Sequence, residues 1–409
     1  MDELLHFQTI GLNSLVSHAY NTVPFYKKLF DNNKVHPNDI KTIEDISKLP
    51  IIDKQILKQN SFSDLISKDY KNKKLIPITT SGSSGMMLKF FIDNSFDQFR
   101  KAQFLRPYIT NGKSLFDKTV IFTAPKLTTK KWFQHFGLLN GKKVFYNTNT
   151  EEQIRVIQKH RPSVIQGCAS VLNLLAINII DNKIEIPKPR LMFSDSEVLT
   201  PSRRENIKRG FETDVIDIYG TYETDNIAYE CKYHRGYHIA IDSVIMELIR
   251  NGKKAEPGKE GEVVVTVLNN FAMPFIRYNL HDISSYSTQS CSCGRTFPLL
   301  NKIQGRSDDY MITAEGKRLS FVTLGAYWHP LTKFVDEYQL IQEDVNSFTI
   351  FIVPNKSFND ECRNIIASEI TKYFPHANID IKLVPFIKRE ESGKLLTFKS
   401  NIKWSHPSI

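Results

Sequence analysis

Apolar positions recur along the chain with two different spacings, and the places where the spacing changes predict a succession of helices and strands. Residues up to about 75 are predicted to form helices and turns, with Pro24 and Pro50 marking interruptions. From about 76 to 300, short apolar runs alternate with helical stretches. The predicted strands are 119–122, 163–166, 214–219 and 262–268, and a helix is predicted over 151–161. This alternation predicts an α/β domain, whose ligands bind at the carboxyl ends of strands.

The pattern changes after Arg306. Residues 348–353 and 379–383 are predicted to form strands. Between them a helix is predicted, because a set of apolar residues recurs on one helical face: Cys362, Ile365, Ile366, Ile370, Tyr373 and Phe374. We therefore expect a large domain of residues 1–307, with mixed sheets, helices and a β-rich portion, followed by a small α+β domain of residues 308–409.

Composition narrows the classes of protein that this chain can represent. With 409 residues, 41% of them hydrophobic and 24% charged, it is predicted to be globular and to hold about two to three domains. The net charge of +10 comes from lysines spread along the whole chain, so no nucleic-acid partner is predicted. No apolar run reaches the ~18–20 residues of a membrane span, and the acidic N-terminus lacks a signal-peptide pattern. Together with only five cysteines, these features predict a cytoplasmic protein without membrane association.

Four short segments carry the candidate chemistry. They are residues 79–85, 219–223, 277–282 and 305–309. The first is rich in Thr, Ser and Gly and joins two apolar runs, which is the arrangement of a strand–turn–strand phosphate clamp. It is not a Walker loop, since no Gly-Lys-Ser/Thr follows. A flexible connector is the alternative for this segment taken alone.

The other three segments supply side chains that suit the remaining parts of ATP. Glu223 can hold Mg²⁺, Tyr219 can stack on adenine, and Asp282 can accept hydrogen bonds from both ribose hydroxyls. Arg306 can reach ribose or phosphate. Each segment alone could be an ordinary turn, and 277–282 a solvated charged one. Their occurrence together, in this order, predicts a protein that holds ATP while a carboxylate attacks its α-phosphate.

A second group of residues has the chemistry of a metal site. Cys231, His238, Cys291 and Cys293 offer three thiolates and one imidazole, which suit a closed and therefore structural Zn²⁺ site. His234 competes with His238, and ordinary reduced cysteines are the alternative to zinc. Cys168 and Cys362 are predicted to be core residues.

The segment Ser392-Gly393-Lys394 follows a run of charged residues near the C-terminus. Such runs are usually solvated tails. The alternative, which we favour in this context, is a lysine presented on a glycine hinge that neutralises charge at the α-phosphate.

These motifs resemble those of the phenylacetate–CoA ligases and the related capsule-biosynthesis ligases, a branch of the adenylate-forming superfamily. The resemblance begins at residues 23–30, continues through 229–238, 274–278 and 291–295, and ends at 305–309. It implies that residues 1–307 form an adenylation domain that binds ATP and a carboxylate. It also implies that residues 308–409 form a mobile lid domain rotating about the Asp308 region.

The resemblance further implies specific roles for residues of this chain. Lys394, Glu223 and Thr80 would be catalytic, and His135-Phe136-Gly137 would line the acyl pocket. The implied nucleotide-binding residues are Ser81, Gly82, Ser83, Ser84, Gly85, Glu197, Tyr219, Gly220, Asp282 and Arg306. Cys231, His238, Cys291 and Cys293 match a metal-like cluster of the family, which favours His238 over His234.

Three segments depart from the family pattern. Tyr222 stands where Ser or Thr is usual, residues 279–281 replace a more polar Thr/Gly stretch, and residues 194–197 replace a Gly-rich segment. These departures bear on the substrate more than on nucleotide binding.

The predicted activity is therefore that of an ATP-dependent ligase that forms acyl-AMP from a small-molecule carboxylic acid. The predicted cofactors are ATP, Mg²⁺ and structural Zn²⁺, and the predicted acceptor is CoA. Transfer to an amine, giving an amide, is the first alternative. A zinc-stabilised nucleotide-binding protein without turnover is an alternative of a different class. The sequence does not identify the acid, and it leaves the oligomeric state open, with a homodimer as one option.

Overall fold

The computed structural model describes residues 2–80, 87–124, 136–139, 141–146, 148–306, 310–315, 318–320, 334–389 and 395–402. The chain divides into two compact units. The first contains Met1–Leu115 and Ile216–Ile303, and the second contains Phe116–Val215 and Gln304–Ile409. Among the described residues, no helix has both the length and the apolar character needed to cross a membrane.

The described residues form nine α-helices, which are α1 (Asp2–Thr22), α2 (Pro24–Asn32), α3 (Lys54–Lys58), α4 (Phe62–Leu65), α5 (Asn94–Thr110), α6 (Thr150–His160), α7 (Ala169–Asp181), α8 (Pro201–Phe211) and α9 (Asp360–Thr371). Short 3₁₀ helices span Pro37–Asp39, Ile43–Lys48 and Lys68–Tyr70.

The strands are β1 (Ile76–Thr79), β2 (Lys89–Ile92), β3 (Thr119–Thr123), β4 (Gly141–Phe145), β5 (Val164–Cys168), β6 (Leu191–Asp195), β7 (Val215–Thr221), β8 (Asp225–Glu230), β9 (Tyr237–Ile239), β10 (Val244–Arg250), β11 (Lys253–Lys254), β12 (Glu260–Val267), β13 (Tyr278–Ser285), β14 (Leu299–Leu300), β15 (Gly305–Arg306), β16 (Tyr310–Ile312), β17 (Arg318–Ser320), β18 (Val335–Asp344), β19 (Ser347–Pro354), β20 (Asn378–Leu383) and β21 (Phe398–Ser400).

The first unit packs an N-terminal helical layer against antiparallel sheets. The strand order is β11-β10-β12-β13 in one sheet and β14-β9-β8-β7 in another, while β1 and β2 form a separate antiparallel pair. The apolar side of α1, including Leu12, Leu15 and Val16, shares one core with β-branched residues of β12 such as Val263 and Val265. The run 262–268 was predicted as a strand because of these valines, and β12 confirms it.

The second unit contains a parallel sheet with strand order β6-β5-β3-β4. Helices α6, α7 and α8 pack on it through a core that includes Ile157, Leu172 and Ile207. Two strands of this sheet were predicted from short apolar runs in the sequence. Residues 119–122 lie in β3, and most of residues 163–166 lie in β5.

The C-terminal part of this unit is a four-stranded sheet of order β20-β19-β18-β21 with α9 packed on it. The helical face predicted from Cys362, Ile366 and Ile370 is buried. The predicted strands 348–353 and 379–383 are confirmed as β19 and β20. The α/β fold class with a small α+β C-terminal part is therefore confirmed, while the domain boundary at 307/308 stays a prediction.

Candidate functional site

The predicted phosphate loop is flanked by the antiparallel pair β1–β2, in which Thr79 faces Lys89 and Ile76 faces Ile92. Thr80 follows β1 and is buried. Its N–H donates to the carbonyl of Leu88 at 2.9 Å, and its Oγ1 accepts from the Leu88 N–H at 2.9 Å. The strand-to-strand geometry expected of a phosphate clamp is therefore present at its base. Ser81, Gly82, Ser83, Ser84 and Gly85 lie outside the described residues.

Two hydrogen bonds bring the second and third motifs together in the first unit. The hydroxyl of Tyr219, at the end of β7, donates to Oδ2 of Asp282 at 2.7 Å. The hydroxyl of Tyr278, at the start of β13, donates to Oε1 of Glu223 at 3.1 Å. These pairs are separated by 63 and 55 residues in the sequence. The interpretation of 277–282 as a solvated charged turn is wrong, since these residues begin a buried strand.

Glu223 has the geometry expected of a carboxylate that completes a metal–phosphate complex. Its residue is 7% exposed, and one oxygen, Oε1, is oriented by Tyr278. Within the described part of the chain, its second oxygen has no hydrogen-bond partner. Mg²⁺ in nucleotide sites is typically held by one or two carboxylates together with phosphates and water. Glu223 meets that requirement, because Tyr278 orients its Oε1 and its Oε2 is available to coordinate the ion.

The residue before Asp282 contacts two acidic side chains that the sequence analysis did not single out. His281, in a left-handed conformation with φ of 60°, lies between two acids. Its Nε2 is 3.6 Å from Oδ2 of Asp53, and its Nδ1 is 3.7 Å from Oε1 of Glu262. The pKa of Asp53 is lowered overall. Burial alone would raise this pKa, but hydrogen bonds from His281 and from the N–H of Ile56 outweigh the effect of burial. The strand that carries Asp282 is thus held by polar contacts at the neighbouring position, His281.

Arg277 has an internal role. It is 5% exposed, and its guanidinium makes two hydrogen bonds of 2.9 Å to the carboxylate of Glu247. It also donates to the carbonyls of Ser47 and Leu49. A fork of this kind is the geometry for which arginine is suited, and it ties the N-terminal segment to β10 and β13.

Glu197 belongs to a buried polar network in the second unit. Its carboxylate accepts from the N–H and Oγ of Ser170 and from the N–H of Leu395, each at 2.9 Å. Arg389 donates to Ser170 Oγ and to Glu337 Oε1, both at 2.5 Å. The sequence analysis predicted that Glu197 binds nucleotide, and it did not single out Arg389. In the structure, the hydrogen bonds of Glu197 and Arg389 join the C-terminal part of the second unit to the start of α7.

Several predicted residues have no described side chain. Lys394 and His135 lie outside the described residues, and Arg306 is described only through its backbone in β15. Phe136 is exposed and Gly137 has a φ of 82°. The roles given to these residues stay predictions.

The predicted metal ligands converge at one point of the first unit. One ligand atom from each of Cys231, His238, Cys291 and Cys293 lies within 4.8 Å of all the others. Cys231 Sγ is 3.5 Å from Cys291 Sγ, and Cys293 Sγ is 3.3 Å from His238 Nε2. A tetrahedral Zn²⁺ ion with bonds of about 2.3 Å to sulfur needs ligand–ligand distances of about 3.8 Å. The four donors fit that ion.

The two candidate histidines differ in their surroundings. His238 lies in β9, which pairs with β14 after the Cys291–Cys293 turn, whereas His234 Nδ1 is 3.1 Å from Oε2 of Glu230. Burial and the charge of Arg295 lower the pKa of His238, which keeps the imidazole neutral and able to act as a ligand. Burial raises the pKa of the Cys231 thiol to about 11, so metal binding there would release a proton. His238 is therefore the histidine of the cluster.

Known proteins resemble this chain in sequence and in fold. The CapK C-terminal domain family matches residues 311–401. Phenylacetate-coenzyme A ligase of Escherichia coli (strain K12) is 28% identical over 76% of this chain and 73% of that protein. Protein CapK of Staphylococcus aureus is 24% identical over 98% of this chain and 90% of that protein.

The fold is also that of a solved structure, 2-hydroxyisobutyryl-CoA ligase in the postadenylation state in complex with 2-HIB-AMP. The TM-score is 0.75 at 17% identity, over 96% of this chain and 89% of that chain. The chain is therefore similar in sequence to the phenylacetate–CoA ligases and to CapK over most of its length, and it has the fold of a solved acyl-CoA ligase.

Proposed function

We propose that this protein is an AMP-forming ligase that activates a carboxylic acid with ATP and passes the acyl group to coenzyme A. The observation that carries the proposal is the pair of tyrosine–carboxylate hydrogen bonds, Tyr219–Asp282 and Tyr278–Glu223. They bring together two motifs that the sequence assigned to the ribose and to the metal of one nucleotide. The similarity to phenylacetate-coenzyme A ligases and to protein CapK supports the same function.

The residues of the first unit would divide the nucleotide among them. Thr80 and the following residues 81–85 would donate to the phosphates from the end of β1. Asp282, oriented by Tyr219, would accept from the ribose hydroxyls, and the Tyr219 ring would pack beside the base. Glu223, oriented by Tyr278, would hold Mg²⁺, whose charge offsets the repulsion between the substrate carboxylate and the triphosphate.

The remaining proposed residues act on the reaction or support the nucleotide. Lys394 would neutralise charge that develops at the α-phosphate in the transition state, and such a group affects rate more than ATP affinity. Glu197 and Arg306 stay proposed nucleotide ligands. We keep residues 308–409 as the proposed lid domain that carries Lys394.

The cysteine–histidine cluster would hold a structural zinc ion. Three thiolates and one imidazole fill all four tetrahedral positions, so no position is left for a substrate or water. Cys231 follows β8, and Cys291 and Cys293 precede β14. The ion would therefore fasten the edge of the sheet that delivers Tyr219 and Glu223.

A specific observation favours a second acceptor. The match to the CapK C-terminal domain covers residues 311–401, and protein CapK is similar over 98% of this chain. The resemblance to capsule-biosynthesis ligases makes an amine, giving an amide product, the second candidate.

One experiment separates these functions. Purified protein is incubated with ATP, Mg²⁺ and a panel of carboxylic acids, with and without CoA, while pyrophosphate release and product mass are recorded. Acid-dependent pyrophosphate release and an acyl-CoA mass support the first proposal, whereas release without acyl-CoA but with an amide from an added amine supports the second. ATP binding without release for any acid would mean that the chain is a nucleotide-binding protein without turnover.

A further inference from the structure

Arg100 joins helix α5 to the turn that carries Glu223. Its Nε donates to Oδ2 of Asp225 at 3.0 Å, and its Nη2 donates to the carbonyl of Tyr222 at 3.3 Å. The side chains of Arg100 and Asp225 are 14% and 13% exposed. One guanidinium thus contacts the residue before Glu223 through its backbone and the residue two positions after it through its carboxylate.

The turn between β7 and β8 has a tight backbone path. The register shifts between Tyr219 and Gly220, which marks a β-bulge. A Cβ on Gly220 would lie 2.1 Å from the carbonyl oxygen of Asp225, and Asp225 itself has a φ of 60°. Only glycine fits such a close approach, and an aspartate tolerates a positive φ better than most residues. A path of this kind needs external contacts to hold it.

The hydrogen bonds between the threonines of the turn are weaker than the contact from Arg100, and Asp225 Oδ1 also accepts from the N–H of Asn226 at 2.9 Å. The hydroxyls of Thr221 and Thr224 are 3.0 Å apart, and the N–H of Thr221 donates to Thr224 Oγ1 at 3.3 Å. These are neutral hydrogen bonds, whereas the Arg100–Asp225 bond joins two charged groups and is expected to be about twice as strong. Asn226 adds one bond to α5, from its Nδ2 to the carbonyl of Phe104 at 3.3 Å.

Removing the arginine would leave a buried acid without its counter-charge. The side chain of Asp225 is 13% exposed, and its Oδ2 accepts from Arg100 Nε at 3.0 Å. Without Arg100, the carboxylate would lose this charged partner and would turn toward water. That change alters the turn two residues from Glu223, whose Oε1 accepts a hydrogen bond from Tyr278 among the described residues.

We propose that Arg100 is a positioning residue that fixes the 220–225 turn so that Glu223 faces the metal–nucleotide complex. The inference rests on the proposed function, because it takes Glu223 as the metal carboxylate. It goes further by assigning a role to a residue of α5, more than 120 positions away in the sequence, that touches neither nucleotide nor metal.

The test compares two affinities in each variant by titration. One is the affinity for Mn²⁺ with an ATP analogue whose α- and β-phosphates are bridged by methylene, followed through the EPR signal of free Mn²⁺. The other is the affinity for AMP without metal. Arg100→Gln is expected to weaken the Mn²⁺–analogue complex by about 10- to 100-fold, the usual effect of removing a group that orients a metal ligand. Its affinity for AMP should stay within about twofold of wild type, a split that a general loss of structure would not produce.

Arg106 provides the matched control. It lies on the same helix and forms an ion pair with both carboxylate oxygens of Asp242, which is outside the 220–225 turn. Arg106→Gln should leave both affinities unchanged. If Arg100→Gln fails to fold, Arg100→Lys is used, because it keeps the charge but cannot reach both partners, and an intermediate loss of Mn²⁺ affinity is expected.

Three results would count against the inference. Unchanged Mn²⁺ affinity in Arg100→Gln, or in Arg100→Lys where that variant replaces it, would overturn it. An equal fall in the affinities for AMP and for the metal complex would also overturn it, since Arg100 would then support the fold alone. A wild-type protein that binds neither ligand would instead overturn the proposed function, and this inference with it.

Discussion

Replacing Cys293 with serine is expected to release the proposed zinc ion and to destabilise the first unit. The ion would cross-link Cys231 to Cys291, which are 60 residues apart. Closing a loop of that length in the unfolded chain corresponds to roughly 4 kcal/mol in the chain-entropy treatment of cross-links. For a unit of about 200 residues, that is a fall in Tm of about 10 °C.

The assay combines metal analysis with thermal unfolding. Wild-type protein should contain about one zinc per chain, and a zinc chelator should lower its Tm by an amount similar to that of Cys293→Ser. Cys362→Ser is the control, because Cys362 lies in α9 and outside the cluster. That variant should keep its zinc whatever its own stability.

The reasoning on the zinc site fails under either of two results. A wild-type protein purified without chelators that holds no zinc, even after incubation with Zn²⁺, would mean that the four donors are ordinary reduced side chains. A full complement of zinc in Cys293→Ser would mean that the ion is held elsewhere.

Three further predictions concern the second unit. Arg389→Met removes the ion-pair partner of the buried Glu337 carboxylate and should lower the free energy of unfolding in urea by about 3 kcal/mol. Lys356→Met removes an exposed ion pair and should change that free energy by less than about 0.5 kcal/mol. Equal effects of the two variants would refute this difference. Burial, together with the charges of two nearby carboxylates, raises the pKa of Asp336 to about 6, so the stability that its protonated form contributes is complete below about pH 4 and is lost as the pH rises through 6. Asp336→Asn should therefore raise the Tm at pH 7.5 by up to about 2 °C and raise it less at pH 5, and a pH-independent shift would contradict this sign. Lys394→Ala should slow ATP–pyrophosphate exchange by about 10²–10³-fold with little change in ATP affinity, and undiminished exchange would remove Lys394 from the mechanism.

The elements with strong local patterns could be predicted from the sequence. The β-branched run that became β12 and the helical face of α9 each depend on neighbours in the chain, so periodicity is enough to find them. The β1–β2 pair could be predicted because its two apolar runs are separated in the sequence only by a short Ser/Gly-rich segment. Fold class followed from the order of such elements.

Contacts between distant parts of the sequence could not be predicted in this way. Tyr278 stood inside a recognised motif, yet nothing local indicated that its hydroxyl would meet Glu223, because the register of β13 beside the 219–223 turn is set by tertiary packing. Nothing local indicated that Arg100 would pair with Asp225 or Arg277 with Glu247, since these partners are also distant in the sequence. The choice between His234 and His238 was open from spacing, whereas the pairing of β9 with β14 places His238 beside the cysteines.

A crystal structure of the protein with Mg²⁺ and the methylene-bridged ATP analogue would test the central claim most directly. We predict the ribose hydroxyls within hydrogen-bond distance of Asp282, Mg²⁺ coordinated by Glu223, and the phosphates beside Thr80. Nucleotide bound elsewhere, with Glu223 and Asp282 contacting neither metal nor ribose, would contradict the account.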